Sequence, residues 1–205
     1  MSILATGITA LGLALLLFLN WKQSTWAPAA KALASIGFVA LALTRGAIAD
    51  GYGRLVLVGL IAGLAGDLLL ELRAAPGFLL GLGAFLIGHL AYTAAFALDH
   101  PDWALTALAA GALAVFGVGV AKWLKPHLNS SLRVPVLIYI VVILAMTAVG
   151  IGLVDHRLLA SVGAVCFLAS DLAVARDRFV QPGFVNSAWG LPLYYLGQIL
   201  LAWSI

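Results

Sequence analysis

Asp67 and Asp171 each interrupt an apolar run: Ile61-Ala-Gly-Leu-Ala-Gly-Asp67-Leu-Leu-Leu70 and Val165-Cys-Phe-Leu-Ala-Ser-Asp171-Leu-Ala-Val174. An ionisable side chain at membrane depth costs roughly 3 kcal/mol on insertion scales, so it is retained for a reason. Two carboxyl groups brought close in a medium of low polarity divide into an acid and an anion. That division does general acid–base work at a labile ether, as in glycoside hydrolysis. It also suits a proton relay. The plainest role is structural, a neutral aspartic acid hydrogen-bonding between helices.

The surrounding chain must hold these groups in lipid. Its 205 residues are 64% hydrophobic and 9% charged, with a mean hydropathy of +1.12. A soluble domain of this size is excluded, and the expected class is an all-α, polytopic membrane protein. The net charge of +3 lies in short loops, which reads as topology and lipid-facing charge and not as a nucleic-acid surface. Cys166 is the one cysteine, so no intramolecular disulfide can form. The first apolar run lacks the charged leader of a signal peptide and is expected to stay as a helix.

A bilayer core needs roughly 20 apolar residues per helix. Punctuation by Pro, Gly and charge predicts eight spans: Ile3–Leu19, Ala30–Leu43, Arg54–Leu70, Gly77–Leu98, Trp103–Trp123, Val134–Val154, Leu158–Ala175 and Ser187–Ser204. The second is the shortest. The odd-to-even loops carry eight Lys and Arg, the opposite face three. Both termini are therefore expected on the non-cytoplasmic side, in a bacterial inner membrane. Asp67 lies six residues before Arg73, and Asp171 five before Arg176. At 1.5 Å per residue each carboxyl is roughly 6–9 Å inside the cytoplasmic boundary.

An internal echo links the two sites. Ala65-Gly-Asp67-Leu68 precedes Pro76-Gly-Phe78, and Ala169-Ser-Asp171-Leu172 precedes Pro182-Gly-Phe184. Counting from each Phe, His89 aligns with Tyr195 and Tyr92 with Gln198. The echo predicts one transmembrane domain, 1–205, made of parallel halves 1–100 and 101–205. A pseudo-two-fold axis along the membrane normal would set the aspartates across a shared cavity.

Other polar residues are candidates for that cavity. His89 is deep in its helix and reads equally as a site residue or a satisfied core histidine. Tyr92, Tyr139, Tyr194 and Tyr195 could anchor at an interface. Tyr194 and Tyr195 sit too far into the last helix for that, so at least one is expected to face the cavity. Gln198 is one turn further on. Lys31, Arg73, Arg176 and Arg178 share the cytoplasmic level. Singly they read as topology signals; together they could bind a phosphate. His100, His127 and His156 have no ligand spacing, and no Walker loop or nucleophile elbow is present, so neither a metal nor a cofactor is expected.

These motifs, in their order along eight helices, resemble the YhhN-like lysoplasmalogenase family. The likeness is densest in Gly66-Asp67-Leu-Leu-Leu, Gly83-Ala-Phe-Leu-Ile-Gly-His89-Leu-Ala-Tyr92, Ser170-Asp171 and Tyr194-Tyr195-Leu-Gly-Gln198. Lys31-Ala-Leu33 is similar to that family's Lys-Pro-Leu, with Ala32 in place of proline. The resemblance implies hydrolysis of the vinyl ether bond of a lysoplasmalogen, giving a fatty aldehyde and glycerophosphoethanolamine or glycerophosphocholine. It implies Asp67 and Asp171 as catalytic groups. Lys31, Arg73, His89, Tyr92, Arg176, Tyr194, Tyr195 and Gln198 are then expected around a lysophospholipid drawn from the bilayer. A proton-coupled transporter and a non-catalytic lysolipid-binding protein are the alternatives. No feature fixes the oligomeric state.

Overall fold

A computed structural model describes residues 1–71 and 75–205. They form eight α-helices: α1 (Ser2–Trp21), α2 (Ala27–Thr44), α3 (Gly51–Leu70), α4 (Ala75–Leu98), α5 (Trp103–Leu124), α6 (Ser130–Ile151), α7 (Leu158–Ala175) and α8 (Phe184–Trp203). Polar residues between the apolar runs start several of them. Asp50 accepts from the Gly53 N–H at 2.7 Å, Asp102 from Ala104 and Leu105 at 2.8 and 3.0 Å, and Asn129 from Leu132 at 3.0 Å. Each carboxyl or amide oxygen satisfies a helix-terminal donor.

Two expectations about the elements change. α2 is 18 residues long, not the short segment expected over Ala30–Leu43. Pro28 lies in its first turn, where a missing N–H is harmless, so the proline marks a start and not a stop. Eight spans were expected, but of the eight helices among the described residues only α1 to α7 are long and apolar enough to cross a membrane. α8 carries Asn186, Ser187, Tyr194, Tyr195, Gln198 and an internal Pro192. It packs against α7, α1, α2 and α3.

Polarity is arranged for lipid. Ser35, His89 and Gln198 are fully buried, while Leu108 and Val115 are 72% and 76% exposed. The chain is an integral membrane protein with its polar side chains turned inward. Small residues let the helices approach. A Cβ on Gly88 would stand 3.2 Å from the Gly59 carbonyl oxygen across α3 and α4. One on Gly197 would stand 3.0 Å from the Gly163 carbonyl oxygen across α7 and α8. Backbone contact of this kind drives association where lipid removes the hydrophobic effect.

One end of the bundle is clasped by Arg157. Its guanidinium pairs with Asp99 through Nε and Nη2, donates to the Ser204 carbonyl at 2.6 Å and lies 4.0 Å over the Tyr52 ring. The Tyr52 and Ser204 hydroxyls are 2.8 Å apart. The hydrogen bond to Asp99 holds the guanidinium above its ordinary pKa. The clasp joins the start of α3 and α7 to the end of α4 and α8.

Candidate active site

Asp67 is three residues from the end of α3, and Asp171 four from the end of α7. At 1.5 Å per residue, both lie about 5–6 Å inside their helix ends. The two side chains line one cavity of about 310 Å³. Its walls come from the C-terminal ends of α3, α5 and α7 and the N-terminal parts of α2, α4, α6 and α8. It therefore occupies the end of the bundle opposite the Arg157 clasp. Phe85, Phe116, Ile140, Leu144 and Leu168 give it an apolar lining.

Each carboxyl is held from the preceding helix. Asp67 Oδ2 accepts from Ser35 Oγ of α2 at 2.6 Å and from Tyr194 Oη of α8 at 2.8 Å. Asp171 Oδ2 accepts from Tyr139 Oη of α6 at 2.7 Å. Oδ1 of both groups has no protein donor among the described residues. A chain of bonds backs Asp67. Tyr92 Oη donates to Gln198 Oε1 at 2.7 Å, and Gln198 Nε2 donates to Tyr194 Oη at 3.1 Å. On the other side, Ser35 Oγ and Tyr195 Oη are 3.2 Å apart, and Tyr195 donates to the Lys31 carbonyl at 3.3 Å. Such a network fixes a carboxylate more firmly than a single contact would.

The predicted residues thus divide. Asp67, Asp171, Lys31 and Tyr194 line the cavity. Tyr195 and Gln198 stand behind it, bonded to the lining residues Lys31 and Tyr194, and Tyr92 is one step further back, bonded to Gln198. His89 is also behind, edge-on to Tyr139 at 5.1 Å and to Phe167 at 4.7 Å. Both its ring nitrogens are buried with no partner among the described residues. Arg176 does not line the cavity; it donates to Asn186 Oδ1 at 2.5 Å and to Gln181 Oε1 at 2.8 Å. Arg178 does line it, 4.5 Å over the Phe78 ring. Arg73 lies outside the described residues.

Ser35, Tyr139 and Glu71 belong to the site, although Ser35 and Glu71 are not among the candidates from sequence and Tyr139 is there only as an interface anchor. Ser35 and Tyr139 carry a signal in the sequence. Ser35 precedes Asp67, and Tyr139 precedes Asp171, by the same 32 residues. Glu71 forms an ion pair with Lys31 at the cavity wall. It is one helical turn beyond Asp67, on the same face of the chain.

Comparison with known proteins gives a consistent family. Over 165 residues the chain is 32% identical to a lysoplasmalogenase of Mycobacterium bovis, covering 77% of this chain and 62% of the relative. Over 158 residues it is 30% identical to lysoplasmalogenase TMEM86A of Bos taurus, and over 157 residues 31% identical to that of Homo sapiens. Each of these matches covers 73% of this chain and 64% of the relative. The chain thus spans under two thirds of the length of these curated relatives. No solved structure matches it. The model of the YhhN family matches residues 26–205, most of the chain and every residue of the cavity described above. The chain belongs to the YhhN family.

Proposed function

We propose that the protein is a lysoplasmalogenase-type hydrolase that cleaves the vinyl ether of a lysoplasmalogen with Asp67 and Asp171. The observation that carries this reading is one apolar cavity lined by both carboxyls, each with one oxygen anchored and the other without a donor among the described residues. Relatives named lysoplasmalogenases support the substrate class. The products are a fatty aldehyde and a glycerophosphoethanolamine or glycerophosphocholine.

The hydrogen bonds suggest the division of labour. Asp67 accepts from two hydroxyls, which favours its anion, while Asp171 accepts from one. Asp171 gives its proton to the β carbon of the vinyl ether, and the π electrons form the new C–H bond. The positive charge left on the oxocarbenium faces Asp67. Water adds to the α carbon, the one bonded to the ether oxygen, and loses a proton to Asp67. The hemiacetal then collapses. The glycerol oxygen leaves with the proton from Asp67, and the hydroxyl proton returns to Asp171. One water is consumed and both carboxyls are restored.

The same reading has the fold cross the membrane eight times, with α8 completing the bundle. Both termini are non-cytoplasmic, in a bacterial inner membrane. Two details support halves 1–100 and 101–205. The hydroxyl partner of each aspartate has the same spacing, and α2 lies beside α3 as α6 lies beside α7. Lys31 and Tyr194 meet the lipid, while His89, Tyr92, Tyr195 and Gln198 shape the wall. Arg176 stands just past the end of α7, outside the lining. Both aspartates lie off-centre in helices without an internal proline, which favours hydrolysis over transport.

Asp67→Asn and Asp171→Asn should each lower aldehyde release at least a hundredfold, with circular dichroism unchanged. Full activity in both variants would refute the reading.

A further inference from the structure

The geometry points to Glu71 as the residue that selects a zwitterionic head group, by taking the lipid's ammonium while Lys31 takes its phosphate. The inference rests on the lysolipid reading above. Lys31 and Ser35 are one turn apart on α2, and Glu71 and Asp67 are one turn apart at the end of α3. The pairs Ser35–Asp67 and Lys31–Glu71 are therefore successive rungs between the same two helices. One turn separates them by about 5–6 Å. In a lysoplasmalogen, five single bonds of about 1.5 Å join the ether oxygen to phosphorus, which spans about 6 Å when extended. With the ether at Asp67, the phosphate thus reaches the Lys31–Glu71 rung.

Charge balance decides what can sit there. Lys31 and Glu71 neutralise each other, and both line the cavity. Their side chains are 14% and 34% exposed, so Lys31 is the more enclosed and Glu71 stands nearer solvent. A phosphate alone would draw Lys31 away and leave Glu71 without its partner, beside a second negative charge. A phosphoethanolamine or phosphocholine head supplies both missing partners. Its phosphate meets the enclosed ammonium, and its own cationic end meets the outer carboxylate. The resident pair is exchanged for two new pairs with no charge left over. Anionic lysolipids with the same tail are disfavoured by that carboxylate, an element of repulsion in the specificity. Lys31 is also tied to the chemistry, since its carbonyl accepts from Tyr195, which adjoins Ser35 and so Asp67.

Binding tests this without any turnover. Purified full-length protein in detergent is titrated with palmitoyl lysophosphatidylethanolamine and palmitoyl lysophosphatidylglycerol, neither of which has a vinyl ether, and affinity is read from tryptophan fluorescence. The unsubstituted protein should prefer the ethanolamine lipid about tenfold. Glu71→Gln should erase that preference, and Lys31→Gln should weaken both lipids. Should Glu71→Gln fold poorly, the unsubstituted protein still decides. Acetylating the lipid's amine should cost it about tenfold in affinity, while the bulkier choline lipid binds well. An unchanged preference in Glu71→Gln, an equal loss for both lipids, or full affinity for the acetylated lipid would overturn the inference. Failure of aldehyde release would count against the hydrolase reading and leave this measurement standing.

Discussion

Tyr139 holds Asp171 alone, whereas Asp67 has both Ser35 and Tyr194. The two hydroxyls on the preceding helices should therefore differ in weight. Tyr139→Phe removes the one donor to Asp171 among the described residues and frees the acid to rotate. It should lower single-turnover aldehyde release tenfold or more with little change in melting temperature. Ser35→Ala leaves the Tyr194 contact in place and should cost only a few fold. Equal losses in the two variants would argue against this asymmetry. The aspartates themselves were legible because a charge in an apolar run is conspicuous. Ser35 and Tyr139 were not, since a serine or tyrosine in a membrane helix is unremarkable by type. Only applying the spacing between Asp67 and Asp171 to the rest of the chain would have found them. His89 showed the opposite limit. Its depth could be counted, but its place behind Tyr139 and Phe167 depends on helix rotation, which a broad apolar surface does not specify.

The helices position these groups through close seams. Gly163 occupies in α7 the place that Gly59 occupies in α3, and each faces the helix that follows. A Cβ on Gly163 would lie 3.0 Å from Leu201 Cγ and 3.1 Å from the Gly197 carbonyl oxygen. The leucine can turn, but the carbonyl belongs to a helix and cannot. Gly163→Ala should force α7 and α8 apart and destabilise the fold by about 1–3 kcal/mol, read as a lower melting temperature in detergent. An unchanged melting temperature would show that the seam is slack. Hydropathy made the existence and order of the helices readable, because lipid demands long apolar runs. It misread the start of α2, where Pro28 serves as a first-turn residue. It also gave no reason why α8 alone among the described helices falls short of a membrane span: Tyr194 and Gln198 spend their polarity on the site.

At the level of the whole bundle, loop charge had placed both carboxyls at one depth. They do lie at matching distances from the ends of α3 and α7 and line a common cavity. What the charges could not reveal was the Arg157 clasp, because Tyr52, Asp99, Arg157 and Ser204 are scattered along the chain and meet only on folding. The clasp and the cavity sit at opposite ends, and that placement gives the molecule a sidedness. A lysolipid with a charged head crosses a bilayer slowly, so the enzyme proposed here would draw on one monolayer only. Reconstituted at random into sealed vesicles, about half the molecules would face substrate added outside. Opening the vesicles with mild detergent should then raise aldehyde release about twofold, and vesicles of uniform orientation should show either no latency or complete latency. In a living membrane the same geometry would make the protein blind to the far leaflet. The lipid pool it governs would be set by whatever moves lysolipids from one face to the other.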